Sequence, residues 1–157
     1  MNNPYEMNQY APTYYGGVQI APGADVGFEP KPYDYIYNPA NGQLTANQVL
    51  SNQTVAIQTD ADFMLFAWYI SQYTGAFQIL LTDDTGYQMF SGFLNSGAIY
   101  QSSSAPTVFS PSHPFRAGGK IVIAITDLSG ATNPLQIVFK GEKMFRVNRS
   151  SPGRRAA

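Results

Sequence analysis

The stretch AFQILLTDDTG, residues 76–86, decides the fold class. Phe77, Ile79 and Leu81 alternate with other residues, so their side chains share one face of a β-strand. The Asp83-Asp84-Thr85-Gly86 sequence that follows is typical of a short hairpin turn, in which Gly86 can take a positive φ. An apolar face of period two that ends in turn residues predicts a strand of an antiparallel sheet.

Three further segments repeat this pattern of a one-sided apolar strand next to turn residues. They contain Val55 and Ile57; Ile121, Ile123 and Ile125 after Gly118-Gly119; and Leu135, Ile137 and Phe139 after Asn133-Pro134. No segment has sustained helical spacing. The sequence therefore predicts an all-β protein, an antiparallel β-sandwich of jelly-roll or Greek-key type over residues 44–147. Residues 92–119 are rich in Ser, Gly and Pro, and we expect a crossing loop there with at most a short strand.

The segment from Phe63 to Ile70 differs from the other strands because it is apolar on both faces. A strand of a two-layer sandwich normally has one buried and one solvated face. We therefore expect the second face of this strand to contact a loop, the N-terminal arm or another subunit.

Residues 1–43 differ in composition from the rest of the chain, with six of the eleven prolines and seven of the eleven tyrosines. Proline disfavours long helices and central strands, so we predict a long extended N-terminal arm. Tyrosine buries a large ring while its hydroxyl finds a polar partner, which makes it a good anchor on a neighbouring subunit. The alternative is a disordered tail rich in Tyr, Asn and Gln. The predicted anchors are Tyr5, Tyr10, Tyr14, Tyr15, Tyr33, Tyr35 and Tyr37.

The composition excludes several classes of function. Only 12% of the residues are charged and the formal net charge is −1, which argues against a surface tuned to nucleic acid or to an anionic membrane. A weakly charged surface favours contact with other proteins. There is no cysteine and no apparent signal peptide, as suits maturation in a reducing cytoplasm. In residues 148–157 a basic tail carries Arg149, Arg154 and Arg155, which we predict to bind a partner at an acidic patch or a phosphate group; the alternative is a solvated tail.

Few residues suggest catalysis. His113 is the single histidine and lies in a Ser/Pro-rich stretch, so we interpret it as a loop histidine, and with no cysteine a zinc site is not expected. Asp60 and Asp62, like Asp83 and Asp84, bound strands and lack the spacing of a calcium loop. We therefore predict no catalytic residue, no metal site, no cofactor and no small-molecule substrate.

One tripeptide, Asp84-Thr85-Gly86 after an apolar run, resembles the active-site signature of aspartic proteases. In single-lobed members of that family, two chains each supply one aspartate of a pair that shares a proton. Tyr87 stands where the family usually has a small residue, and the same residues are ordinary in hairpin turns. We interpret the tripeptide as a structural turn.

An ordered series of features from Asp62 to Val147 resembles small virion proteins of tailed bacteriophages. The series comprises Asp62-Phe63 opening an aromatic strand, Gly75-Ala76-Phe77-Gln78-Ile79 leading into the hairpin, Ala117-Gly118-Gly119 before an isoleucine strand, and Asn133-Pro134-Leu135-Gln136-Ile137 running to Gly141-Glu142-Lys143-Met144-Phe145. The chain is most similar to capsid cement (decoration) proteins with jelly-roll-like sandwiches. The resemblance implies a homo-oligomeric, non-enzymatic protein of the virion that bridges neighbouring major capsid subunits and stabilises the shell.

Three alternatives remain open from the sequence. A phage neck, tail or receptor-binding protein would use a similar sandwich. An aspartic-type hydrolase would use Asp84, and a carbohydrate-binding sandwich would use Trp68 or Tyr100 as a stacking platform.

Overall fold

The computed structural model describes residues 26–99 and 102–148, together with the backbone of two short strands, 14–15 and 18–19. The strands, in chain order, are β1 (Tyr14–Tyr15), β2 (Val18–Gln19), β3 (Val26–Tyr37), β4 (Gln43–Leu44), β5 (Val49–Ala56), β6 (Asp62–Gln72), β7 (Phe77–Asp83), β8 (Leu94–Asn95), β9 (Thr107–Phe115), β10 (Lys120–Asp127), β11 (Asn133–Pro134) and β12 (Gln136–Asn148). Single 3-10 turns occupy Ala40–Gly42 and Ser96–Ala98.

Eight of these strands form two four-stranded antiparallel sheets packed against each other. The first sheet has the order β3-β12-β6-β9 and the second has the order β5-β10-β7-β8. The pairs are nested, since β3 pairs with β12, β5 with β10, β6 with β9 and β7 with β8. This is the order produced when one long hairpin folds into two sheets, which is a jelly roll. The predicted antiparallel β-sandwich is therefore confirmed.

The core lies between the sheets and is filled by the residues that the period-two pattern selected. Ile121, Ile123 and Ile125 of β10 are fully buried, as are Ile137 and Phe139 of β12. The predicted hairpin turn is also present. Asp83 Oδ1 accepts hydrogen bonds from the Thr85 and Tyr87 N–H groups, and Gly86 has φ +86°.

A bulge explains why the segment 63–70 is apolar on both faces. The register of β6 against β12 shifts because Ala67 pairs with Lys140 while Leu65 pairs with Gly141, so Phe66 is an extra residue. The extra residue changes the phase of the strand. Phe63 and Leu65 before it, and Trp68 and Ile70 after it, are all buried in the same core. Simple alternation assigns Trp68 and Ile70 to the second face, and that assignment is wrong because both are buried in the core of their own chain. Contact of the remaining outer residues with a loop, the arm or another subunit stays a prediction.

The predicted boundary of the arm at residue 43 is also wrong. Residues 26–37 form β3, which pairs with β12 along its whole length. β3 is an edge strand, and an edge is where a sheet tolerates the missing N–H groups of Pro30 and Pro32. Residues 38–48 then connect β3 to β5 through β4, which pairs with β11. Any arm outside the sandwich is thereby confined to residues 1–25.

The predicted crossing loop over residues 92–119 contains more structure than expected. β9 spans nine residues, from Thr107 to Phe115, and forms the second edge of the first sheet. Pro111 and Pro114 argue against a strand at the sequence level, because proline is rare in strands other than edge strands.

The nested topology gathers the loops at two ends of the sandwich. The charged end consists of loops 57–61, 84–93 and 116–119, with the start of β3 and the end of β12. The neutral end consists of loops 38–48, 73–76 and 128–135 and the described residues of 96–106, and none of these loop residues is Asp, Glu, Lys or Arg. Asp127, the last residue of β10, lies beside these loops. The chain therefore enters and leaves the sandwich at the charged end.

Candidate functional site

The predicted partner-binding residues fall into two groups. Tyr35 and Tyr37 are buried in the core of their own chain, at 7% and 6% exposure, so they do not serve as anchors on a neighbour. The Tyr35 hydroxyl accepts a hydrogen bond from Gln58 N–H at 2.9 Å, and its ring meets Phe63 edge to face. Tyr33 is half-buried beside Tyr35. Tyr5, Tyr10, Arg149, Arg154 and Arg155 lie outside the described residues, as do the side chains of Tyr14 and Tyr15.

A buried lysine organises one side of the charged end. Lys143 Nζ donates hydrogen bonds to Gln58 Oε1 and to Asp60 Oδ2, the latter at 2.8 Å, and lies 4.3 Å from the centre of the Tyr33 ring. Burial acts to lower the pKa of Lys143, but the hydrogen bond and charge of Asp60 outweigh burial, so the pKa is raised. The same hydrogen bond lowers the pKa of Asp60. These contacts tie loop 57–61 to β12, which is a structural role.

The other side of the charged end contains a cavity of about 380 Å³ lined by Asp83, Asp84, Thr85, His113 and Arg116, among others. His113 lies in β9 rather than in the loop that we predicted. Its Nε2 is 3.3 Å from Asp83 Oδ2, and its ring stacks on Tyr87 with ring centres 5.4 Å apart. No local pattern in the sequence marks this pair, because the two residues are 30 positions apart and meet only when β9 packs beside the turn that follows β7.

The Thr85 hydroxyl in this cavity is not placed to act as a nucleophile with His113. Thr85 Oγ1 donates to Asp83 Oδ1 at 2.6 Å, so the hydroxyl is bound to a carboxylate and not to the His113 base. Burial acts to raise the pKa of Asp83, but the hydrogen bonds from Thr85 and Tyr87 outweigh burial and lower it. Asp84 is exposed in the turn. Among the described residues, no three His, Cys, Asp or Glu side chains are grouped so as to hold a metal ion.

Buried hydrogen bonds close the neutral end. Asn133 is fully buried; its Oδ1 accepts from the N–H groups of Thr74 and Gly75, and its Nδ2 donates to Gly75 O and Asp127 Oδ1. Asp127 Oδ2 accepts from Asn47 N–H at 2.9 Å. Burial acts to raise the pKa of Asp127, but these hydrogen bonds outweigh burial and lower it. All of the polar atoms of Asn133 are used inside the fold, so the network is structural.

The outer side of the first sheet is the surface best suited to bind another protein. We call it the outer apolar face, and it is defined by Ile36, Met64, Phe66, Ala67, Tyr69, Val108 and Val138. Ile36, Val138 and Tyr69 are neighbours across three strands, and Ala67 pairs with Val108 of β9. Val108 is 67% exposed, Ile36 53% and Phe66 37%. The bulge contributes to this surface because the extra residue leaves Phe66 partly exposed next to Ala67.

The alternative of a carbohydrate-binding sandwich depends on Trp68 or Tyr100 as a stacking platform. Trp68 is fully buried and stacks on Phe139 with ring centres 6.4 Å apart, so no sugar can stack on it. Tyr100 lies outside the described residues.

Comparison with known proteins gives no relative. No family model matches the chain, and neither a curated protein nor a solved structure is significantly similar to it. Among the described residues, no helix has the length and apolar character that a membrane span requires.

Proposed function

We propose that this protein is a structural protein of a tailed-phage virion, a cement or decoration protein that binds the capsid shell and bridges major capsid subunits. The observation that carries the proposal is the outer apolar face. Val108 and Phe66 are exposed there beside the buried Ala67, which gives a patch of apolar side chains on a pleated surface. Exposed apolar patches mark sites of protein–protein contact.

The distribution of charge on the outer apolar face determines what a partner must supply. Charged residues are depleted from the centres of protein interfaces because removing their hydration is unfavourable. Within the described part of the first sheet, Lys140 pairs with Ala67 and Glu142 pairs with Met64, so both charges lie within the outer apolar face, with Asp34 and Asp62 on the same side. Lys140 Nζ lies 5.9 Å from the centre of the Tyr69 ring. A partner that covers the whole face must therefore offer groups of opposite charge to Lys140 and Glu142.

Residues 1–25 form the second part of the proposed attachment. They join β3 at the charged end, and they retain Tyr5, Tyr10, Tyr14 and Tyr15 as proposed anchors. Attachment through both a face and an arm raises the effective concentration of the second contact once the first has formed. Many copies on one shell then add to its stability.

The face is tested by a matched pair of glutamate variants. Val108→Glu places a charge on the outer apolar face, whereas Val49→Glu places the same charge on β5 of the second sheet, at 68% exposure against 67%. Capsids of the encoding virus, isolated without this protein, are incubated with each variant, and the bound protein is measured by co-sedimentation. We expect Val108→Glu to weaken binding at least about tenfold, as for a central interface residue, and Val49→Glu to bind like the wild type. Equal binding by the two variants would contradict the proposal.

The arm is tested by a deletion whose end point the structure defines. Removing residues 1–25 keeps β3 and should leave a folded sandwich with reduced occupancy on the capsid. Removing residues 1–43 also removes β3 and its ladder with β12, so it should unfold the protein and is not a test of binding. Full occupancy by the shorter deletion would show that residues 1–25 are not an attachment.

The remaining alternatives are separated by location and activity. A neck, tail or receptor-binding protein would bind the portal or tail in place of the shell. A hydrolase would cleave peptide substrates and lose that activity in Asp84→Asn, a change that should leave capsid binding intact.

A further inference from the structure

The open edge of β3 has a regular pattern of backbone donors. The ladder between β3 and β12 is continuous from Val26 to Tyr37 although it includes Pro30 and Pro32. A proline fits such a ladder where its missing N–H would point away from the partner strand. N–H and C=O groups alternate in direction along a strand. Asp34 and Ile36 therefore direct their N–H and C=O groups away from β12, as does Asn38 if the alternation continues one residue past the strand.

Other edges of the sandwich are protected against pairing, within the residues that the structure describes. β9 carries Pro111 and Pro114 and shifts register against β6, and β8 has two residues only. β5 is interrupted by Asn52, with φ +57°, next to a register shift against β10. Prolines, bulges and short strands are the devices by which proteins prevent edge-to-edge association. Residues 34–38 of the β3 edge have none of these devices.

We propose that residues 34–38 pair with the same residues of a second copy, so that the two first sheets join across a two-fold axis at Ile36. An antiparallel strand pair is compatible with a two-fold axis, which is the commonest symmetry of homodimers. Ile36 lies opposite Ile36 of the second copy, and Asp34 lies opposite Asn38. Each pair exchanges two backbone hydrogen bonds.

The sequence selects this register over its neighbours. A shift by one position toward the N-terminus places Pro32, which has no N–H, opposite Asn38. A shift by one position toward the C-terminus places Asp34 opposite Ala40, which is in a 3-10 turn. Only the register centred on Ile36 pairs residues that all have a donor and lie in or beside the strand.

The side chains agree with the same register. Ile36 is 53% exposed, and facing isoleucines cover part of that apolar surface in both copies. Asp34 faces Asn38 and not another carboxylate, so like charges are not directly opposed, and an amide is a donor that a carboxylate accepts. The added strand also lies beside a groove of about 640 Å³ between β3 and β5, lined by residues 33–38 and 53–56, among others. This contact shares Ile36 with the outer apolar face but uses neither Phe66 nor Val108, which carry the proposed contact with the capsid.

Cysteine cross-linking tests the register directly because the chain has no cysteine of its own. In the full-length protein, Ile36→Cys places two thiols directly opposite, with Cα atoms about 5.5 Å apart, within the range of a disulfide. Asp34→Cys places its two thiols four residues apart along the pair, about 13 Å, which is too far. Val49→Cys is a control for chance collision, since it is exposed on β5. We expect a disulfide-linked dimer under mild oxidation from Ile36→Cys alone; equal cross-linking of Ile36→Cys and Asp34→Cys, or none from Ile36→Cys, would overturn the proposal.

A proline substitution tests the backbone bonds. Ile36→Pro continues the alternation of Pro30 and Pro32, so it should keep the ladder with β12 while removing the central donors of the dimer. We expect its dimer dissociation constant, measured by sedimentation equilibrium, to rise at least about tenfold, while Ile36→Val, which keeps the donor, stays within about twofold of the wild type. Asp34→Pro replaces Ile36→Pro if the latter unfolds. A wild-type protein that is monomeric at every concentration, or a proline variant that dimerises as well as the wild type, would overturn the proposal.

Discussion

The two ends of the jelly roll are held together by different kinds of polar contact. At the neutral end, Asn133 and Asp127 are buried and use their polar atoms in hydrogen bonds to loop backbone. At the charged end, Lys143 is buried but its partner Asp60 is 48% exposed on its side chain, and Asp84 is exposed. The neutral end is thus held from within, whereas the charged end relies on side chains that remain in contact with solvent.

The buried polar residues at the neutral end are used within the fold, whereas Asp60 and Asp84 at the charged end remain exposed and can contact a partner. The chain enters at Val26 and leaves at Asn148, both at the charged end, so any segment that extends beyond the sandwich starts there. A neutral end held by buried hydrogen bonds, and a charged end at which the sandwich begins and ends, suit a rigid sandwich whose extensions make additional contacts.

The largest expected effect comes from comparing one amide side chain at each end. Asn133→Ala leaves the N–H groups of Thr74 and Gly75 without their acceptor and should lower the free energy of unfolding by about 3 kcal/mol. Gln58→Ala at the charged end removes one hydrogen-bond acceptor of Lys143, but Lys143 keeps Asp60 and Gln58 is exposed, so the free energy of unfolding should fall by only about 1 kcal/mol. Urea unfolding measures both. Similar losses for the two variants would remove the distinction between the ends.

The second largest expected effect on stability comes from comparing alanine substitutions at two glycines. A Cβ at Gly75 would overlap Ser129 Cβ and lie 3.0 Å from Ser129 Oγ, so Gly75→Ala should destabilise the neutral end by about 2 kcal/mol. A Cβ at Gly92, in the loop 84–93 of the charged end, would have no described heavy atom within 4 Å. Gly92→Ala should therefore change stability by less than about 0.5 kcal/mol. Thermal unfolding followed by circular dichroism would detect the contrast, and a neutral Gly75→Ala would contradict the tight packing of this end.

The smallest effect is in the dependence of stability on pH. The pKa of Asp127 is lowered from 3.8, so its contribution is complete above that value and is lost as the pH falls through the folded-state pKa. The pKa of Lys143 is raised from 10.5, so its contribution is complete below that value and is lost as the pH rises through the folded-state pKa. Lys143 also lowers the pKa of Asp60, which adds an acid-side contribution.

The directions of these pKa shifts predict different dependences of stability on pH for two variants. Asp127→Asn should reduce the acid-side change in the urea midpoint and leave the alkaline side as in the wild type. Lys143→Met should reduce the change on both sides. An alkaline profile that Lys143→Met leaves unchanged would show that the lysine and Asp60 are not paired in the folded protein.

The sequence predicted the centre of the sandwich better than its edges. The strands with Ile79, Ile123 and Ile137 were recognisable because each has one apolar face of period two. β3 was not predicted, and β9 was predicted as a short strand at most, because Pro30, Pro32, Pro111 and Pro114 argue against strands. The tolerance of an edge for proline depends on which strands become edges. The order of the strands in each sheet follows from the topology of the whole chain and not from a local sequence pattern.

The candidate surfaces were less predictable still. The prolines around Tyr35 and Tyr37 predict an extended arm, in which both tyrosines would be anchors for a partner. The pairing of β3 with β12 instead buries both side chains in the core. The single extra residue Phe66 changes which side chains of β6 face the core, and no local signal marks a bulge within a continuous apolar run. The pairing of His113 with Asp83 likewise depends on contacts between distant parts of the chain.

We propose that this jelly roll attaches to a virion shell by its outer apolar face. Electron cryo-microscopy of the virion tests the claim directly. We predict many copies spread over the capsid, with Val108 and Phe66 turned toward a major capsid subunit. Particles that lack the protein, or copies on the shell with this face turned to solvent, would contradict the account.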